Sequence, residues 1–153
     1  MTISFDVTVA DKLWLDHVAD IEALALKAGQ SLPDDIVINE PSEVSLVLTD
    51  DAAVQILNRD YRNKDRPTNV LSFPTVNAPG LLGDIVLSRE TIIGEAVSGG
   101  KAVKDHLTHL IIHGLLHLLG YDHNSEDEAV VMEALEVEAL AKLGIANPYI
   151  LKA

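Results

Sequence analysis

The stretch His113-Gly114-Leu115-Leu116-His117-Leu118-Leu119-Gly120-Tyr121-Asp122-His123 holds the residues of this chain best suited to chemistry. In a helix, positions i and i+4 share a face with Cβ atoms about 6 Å apart. One metal ion can therefore take an imidazole nitrogen from each of His113 and His117. Gly120 tolerates positive φ and makes a natural helix stop. The chain can then turn and return His123 as a third ligand. Three neutral nitrogen ligands leave one position of a tetrahedral zinc site open, which is the catalytic rather than the structural arrangement.

The spacing H-x-x-x-H-x-x-G-x-x-H matches the metal scaffold of metzincin peptidases, whose motif is H-E-x-x-H-x-x-G-x-x-H. The flanking leucines can keep such a site dry. The departure is as informative as the match. Those peptidases use the glutamate after the first histidine as general base, and here that position is Gly114. His109, one turn before His113, offers an alternative i, i+4 pair. His106 and His109 otherwise read as core residues or as supports for the ligands, and His17 as a surface residue.

The rest of the chain must position these histidines. With 153 residues it reads as a single domain, residues 1–153, large enough to bury a core. It has no cysteine, which excludes disulfides and thiolate zinc fingers. The start, MTISFDVTVADKLW, has neither the basic nor the apolar region of a secretory signal. No run of about 18 uncharged apolar residues supports a membrane span. A cytoplasmic protein is the expectation. The net charge of −13 argues against generic nucleic-acid binding. The cations are uneven, however: Arg59, Arg62, Lys64 and Arg66 fall within eight residues, while acids crowd Asp122 to Glu138. Screening limits distant charges to roughly 10 Å at moderate salt, so a local basic patch can still hold phosphates.

Ile3 to Val9 alternates as an opening strand does. Asp11 to Ala28 carries Leu13, Trp14, Val18, Ile21, Leu24 and Ala25 at helical spacing, closed by Gly29. A polar loop with Pro33 and Pro41 leads to a strand over Val44 to Leu48. Thr49 or Asp50 caps a helix to about Tyr61, and Asn63 to Thr68 is a loop. Val70 to Pro74 and Leu82 to Ser88 read as strands, followed by a weaker helix broken at Gly99-Gly100. From Val103 to Leu119 the residues Val103, Leu107, Leu110, Ile111, Leu115 and Leu118 trace a buried face. Ser125 with Glu128 forms a capping box for a last helix ending near Gly144. The class is α+β, with one mixed sheet of about four strands, and the metal site lies on a central helix and the turn after it.

The segment HGLLHLLGYDH resembles the YbeY family of bacterial metal-dependent endoribonucleases. Three further segments fit: Tyr61-Arg62 followed by Lys64, Asp65 and Pro67 to Pro74; then Leu82-Gly83-Asp84-Ile85; then the acidic helix with Met132 and Glu136. The likeness spans about residues 44 to 144. It implies a single-strand-specific endonuclease acting in ribosomal RNA maturation, at the ends of the small-subunit RNA, and in ribosome quality control. It implies one zinc ion per chain held by His113, His117 and His123, although imidazole also suits nickel, copper and iron. The implied partners are single-stranded ribosomal RNA and the ribosome or its proteins, with no membrane and no DNA. A family arginine near the metal maps to Arg62, with Arg59 a close competitor. Where many relatives carry Asp, this chain has Asn69, so no carboxylate role falls there.

On this reading His113 and Arg62 are the catalytic residues. The guanidinium is a planar fork of donors suited to the phosphoryl oxygens that gain charge during attack. Arg59, Lys64 and Arg66 supply backbone contacts, because an aromatic content of 4% offers no stacking platform. Asp122 either orients a histidine by accepting its second ring N–H or is a turn residue. Asp84 either faces the cleft or pairs with a loop cation. No side chain stands out as general base, leaving metal-activated water or the RNA 2′-hydroxyl as nucleophile. The alternatives are a zinc metallopeptidase using another carboxylate, and a non-catalytic ribosome-associated factor with a structural metal.

Overall fold

Alternation of apolar and polar residues builds three strands into a parallel core, and a fourth closes one edge. We describe residues 3–38, 42–76 and 78–150 of a computed structural model. The strands are β1 (Ile3–Val9), β2 (Ser42–Thr49), β3 (Val70–Pro74) and β4 (Leu81–Ser88). Their order is β1-β2-β4-β3, with β1, β2 and β4 parallel and β3 antiparallel on β4. The helices are α1 (Ile21–Gln30), α2 (Asp51–Arg62), α3 (Arg89–Ser98), α4 (Val103–Leu118) and α5 (Glu126–Lys142). The expected α+β class with one mixed four-stranded sheet is the observed one.

Strand alternation sends side chains to two faces. Leu46, Leu48, Ile85 and Leu87 pack with α1 and α4 into the main core, where Leu107, Ile111, Ile112, Leu115 and Leu116 of α4 are fully buried. Leu71 and Val86 point the other way, onto Val54 and Leu57 of α2. The sheet thus carries α2 on one face and α4 on the other, and the cleft opens where their C-terminal ends meet at β3.

One expected element breaks in two. The apolar spacing from Asp11 to Ala28 reads as a single helix, but the chain forms a 3-10 turn over Lys12–Asp16 and then α1 from Ile21. The Asp20 side chain accepts the Ala23 amide at 3.0 Å, which starts a new helix instead of continuing an old one. Trp14 keeps the same buried side across the break, its indole N–H donating to the Thr49 carbonyl at 2.9 Å. Asp11, capping the 3-10 turn, pairs with Arg89 at the start of α3 at 2.5 Å. Pro41 of the expected loop lies outside the described residues.

Candidate metal centre and its cleft

The end of α4 is built to hold a turn open beside the helix. The Tyr121 amide donates to Leu116 O and the Gly120 amide to His117 O, both at 3.0 Å, closing the last helical turn. This pairing requires a left-handed residue after the cap, and Gly120 has φ 102°. The chain reverses there, and the Asp122 carboxylate accepts the His123 amide at 2.8 Å and the Asn124 side chain at 2.9 Å. Ser125 then caps α5, its Oγ accepting the Glu128 amide at 3.2 Å.

These bonds bring three imidazoles together. One ring nitrogen from each of His113, His117 and His123 lies within 4.8 Å of the others, and ring centres are 4.6–5.5 Å apart. The rings on α4 are held from behind. His113 Nδ1 faces Glu136 Oε2 at 3.1 Å, and His117 Nδ1 faces the Tyr121 carbonyl at 3.0 Å. Both partners are acceptors, so each Nδ1 carries the proton and each Nε2 turns a lone pair inward. The two Nε2 atoms sit 3.0 Å apart. Two lone pairs at that distance repel unless a cation joins them, and nitrogens about 2.0–2.1 Å from one tetrahedral zinc stand ~3.3 Å from each other. The donor set therefore fits a metal ion. Burial, then the neighbouring His113 and His123, lowers the His117 pKa and favours the neutral ring a metal needs.

The ring-holding expected of Asp122 falls elsewhere: its oxygens serve the turn, while Glu136 and the Tyr121 carbonyl take the outward ring N–H groups. Glu136 went without an assigned role in the sequence. It is 1% exposed, in line with the buried Met132, Ala139 and Leu140 of α5. A single acid on an apolar helical stripe is the signal that could have found it, since acids are almost never fully buried unpaired. Burial raises its carboxyl, but bonds from His109, His113 and Tyr149 outweigh that and hold it down at about 2. His109 is thus a support and not an alternative ligand. His106 bonds Glu95 at 2.8 Å, and Glu95 accepts from the Asn69 amide at 3.0 Å, tying α4 and α3 to the start of β3.

Gly114 faces the sheet. A Cβ there would meet Ile85 Cδ1 at 3.0 Å and both Ile85 Cγ2 and Ser72 Oγ at 3.1 Å. Helix and sheet approach too closely at this point for a glutamate, so the general base of the peptidase motif has no room. The metallopeptidase alternative needs another carboxylate, and among the lining residues of the cleft that is Asp122 alone, whose two oxygens both serve the turn.

The three histidines line a cleft of about 850 Å³ whose other wall includes Arg62, Lys64 and Arg66. Asp122 is the only carboxylate among the lining residues, so the cleft is cationic in a chain of net charge −13. Arg62 ends α2 and donates to the Ser72 carbonyl at 2.9 Å, on the free edge of β3, with its guanidinium 5.8 Å from the Phe73 ring centre. Arg59, the competitor, pairs with its neighbour Asp60 at 3.0 Å and is not among the lining residues. The expected contact set of Arg59, Lys64 and Arg66 is therefore split. Asp84 is also away from the histidines, on the sheet face of Val86. Sequence reasoning missed Asn58. Only 3% exposed, it accepts the Lys64 amide through its carbonyl at 3.2 Å and donates its side-chain amide to Arg66 O at 2.8 Å. With Asn63 in a left-handed conformation (φ 57°), it folds the basic loop back over the end of α2.

An α+β domain whose central helix ends in three histidines able to hold a metal ion, facing a basic loop, is the class that fold and site define. Residues 9–144 match the family model described as Endoribonuclease YbeY. The chain belongs to the YbeY family. It is 52% identical over 134 residues to an Endoribonuclease YbeY of Rhodospirillum rubrum, covering 82% of this chain and 67% of that protein. It is 47% identical to one of Paramagnetospirillum magneticum, covering 97% of each, and 46% identical to one of Azorhizobium caulinodans, covering 99% of each. The solution structure of TM1509 from Thermotoga maritima shares the fold, with a TM-score of 0.51 at 23% identity over 93% of this chain and 91% of that one.

Proposed function

We propose that this protein is a zinc-dependent, single-strand-specific endoribonuclease that acts on ribosomal RNA, in small-subunit end maturation and ribosome quality control. The single observation that carries the reading is the convergence of three imidazole nitrogens in a cleft faced by Arg62, Lys64 and Arg66. Family membership supports the nuclease class. Family membership and the basic loop support an RNA substrate. The ribosome as partner and the exclusion of DNA rest on the family resemblance, and a cytoplasmic setting is part of the same proposal. Among the described residues no helix is long and apolar enough to cross a membrane.

His113, His117 and His123 would hold the metal, which supplies Lewis acidity and a lowered pKa for water. Arg62 is fixed by the Ser72 carbonyl through one Nη, leaving its remaining N–H groups free to meet the non-bridging oxygens of a phosphodiester. Lys64 and Arg66 hold flanking phosphates, and Asn58 keeps their loop in place. No carboxylate in the cleft is poised as general base, since both oxygens of Asp122 are engaged in the turn. The attacking oxygen then belongs to water or to the RNA 2′-hydroxyl, and a 2′,3′-cyclic phosphate among early products would identify the latter.

The test couples metal analysis of the purified protein to cleavage of a single-stranded RNA, with and without chelator. Zinc near one equivalent, and cleavage lost with chelator, in His117→Ala and in Arg62→Ala, is the expected result. Cleavage that persists in both variants points to a contaminating nuclease and removes the assignment. A His117→Ala protein that no longer folds marks the metal as structural.

A further inference from the structure

Behind His113 lies a buried arrangement that reaches the C-terminal part of the chain. Glu136 divides its two oxygens. Oε2 faces His113 Nδ1 at 3.1 Å. Oε1 accepts the Tyr149 hydroxyl at 2.6 Å and also meets His109 Nε2. Tyr149 follows α5 and lies beyond residue 144, where the family match ends. Its ring stands edge-on to His109, with centres 5.7 Å apart.

The proton inventory of this cluster is fixed by its partners. His109 Nδ1 is buried and has no hydrogen-bond partner among the described residues. A proton placed there would be an unsatisfied buried donor, whereas Nε2 meets a carboxylate oxygen and donates its N–H to Glu136. Oε1 thus receives two donors, an imidazole N–H and a phenol O–H. A carboxylate fastened at one oxygen by two donors cannot swing, and its second oxygen keeps one task, accepting the His113 ring proton. Such partners of a ligating histidine fix its tautomer and raise its basicity.

We propose that Tyr149 and His109 are positioning residues of the metal centre: by fastening Glu136 Oε1 they aim Oε2 at His113 and so set the affinity for the ion. The inference rests on the metal reading of the three histidines. It makes the segment after α5 part of the site, although that segment reaches none of the three metal-ligating nitrogens.

Zn2+ titration against a chromophoric chelator tests this, using the full chain and Tyr149→Phe, which removes one hydroxyl from a half-exposed side chain. Affinity falls roughly 10-fold, the lower end of the usual effect of losing such a partner, whether or not the loss of the bond to a buried carboxylate also lowers the metal-free melting temperature. The absorption bands of the Co2+-loaded protein shift as His113 loses its fixed orientation. Glu136→Gln loses more affinity than Tyr149→Phe. Wild-type zinc affinity in Tyr149→Phe overturns the proposal alone, and a lowered metal-free melting temperature with unchanged affinity does the same by assigning the hydroxyl to stability. A wild-type protein that binds no zinc overturns the metal reading together with it.

Discussion

The two walls of the cleft are made by different means. The histidine wall rests on the core: His113 and His117 stand on α4 where their neighbours from Leu110 to Leu118 are buried. Their outward nitrogens are bonded to Glu136 and the Tyr121 carbonyl, and the exposed His123 comes in from the turn. The basic wall is exposed: Arg62 ends α2 and rests on the Ser72 carbonyl, and Lys64 and Arg66 project from a loop held mainly by Asn58. One wall is preorganised, and there a small displacement of a candidate ligand matters. The other offers charge to a polyanion, with Arg62 fixed on Ser72 and the loop cations freer to adjust. The candidate ligands and the loop cations thus sit on parts of the fold with different stiffness.

That contrast can be broken from either wall, the largest expected effect first. His117→Ala removes a metal nitrogen, so zinc binding and RNA cleavage both fall to background while the metal-free fold survives. Metal analysis, cleavage and circular dichroism on one preparation report this. Arg62→Ala, on the opposite wall, keeps zinc but slows cleavage ~10²-fold, the scale for losing one oriented donor to a developing charge. Arg59→Ala leaves the rate within about two-fold, the scale of an ordinary surface substitution, because Arg59 pairs with Asp60 and does not line the cleft. Equal losses in the two arginine variants would dissolve the distinction between them. Gly114→Ala presses on Ile85 and Ser72. This crowding, about 1–3 kcal/mol, outweighs the roughly 1 kcal/mol that alanine gains over glycine in a helix, so the urea midpoint falls. A raised midpoint would mean that helix and sheet part freely there. Lys64→Ala and Arg66→Ala each lower the slope of log affinity against log salt by ~0.7, the value for one phosphate on a single strand. A salt slope that ignores both removals would take the loop out of recognition.

Much of this was legible in the residues. The histidine spacing and Gly120 placed the candidate ligands because helix periodicity and a left-handed stop are local properties. Strand alternation at Ile3 to Val9 and the capping residues Asp50 and Ser125 are local in the same sense. The break at Asp20 was hidden because Trp14, Val18 and Ile21 stay on one buried side whether the chain runs as one helix or two. The choice between Arg62 and Arg59 needed the edge of β3, a partner ten residues away whose free carbonyl no pattern announces. Tyr149 was illegible for a similar reason: its hydroxyl acts on a side chain 13 residues earlier, and the stretch after Gly144 has no period to read. Asp122 looked like the natural ring partner because it adjoins a ligand, yet adjacency in a tight turn directs a carboxylate to backbone amides.

Ser72 is touched by both walls. Its hydroxyl side sets how near α4 can come at Gly114, and its carbonyl is the stop against which Arg62 rests. A single residue of an edge strand therefore meets both walls, its hydroxyl toward α4 and its backbone carbonyl toward the guanidinium. Because that carbonyl belongs to the backbone, replacing the side chain changes the seat of the helix at Gly114 and leaves the rest for Arg62 in place.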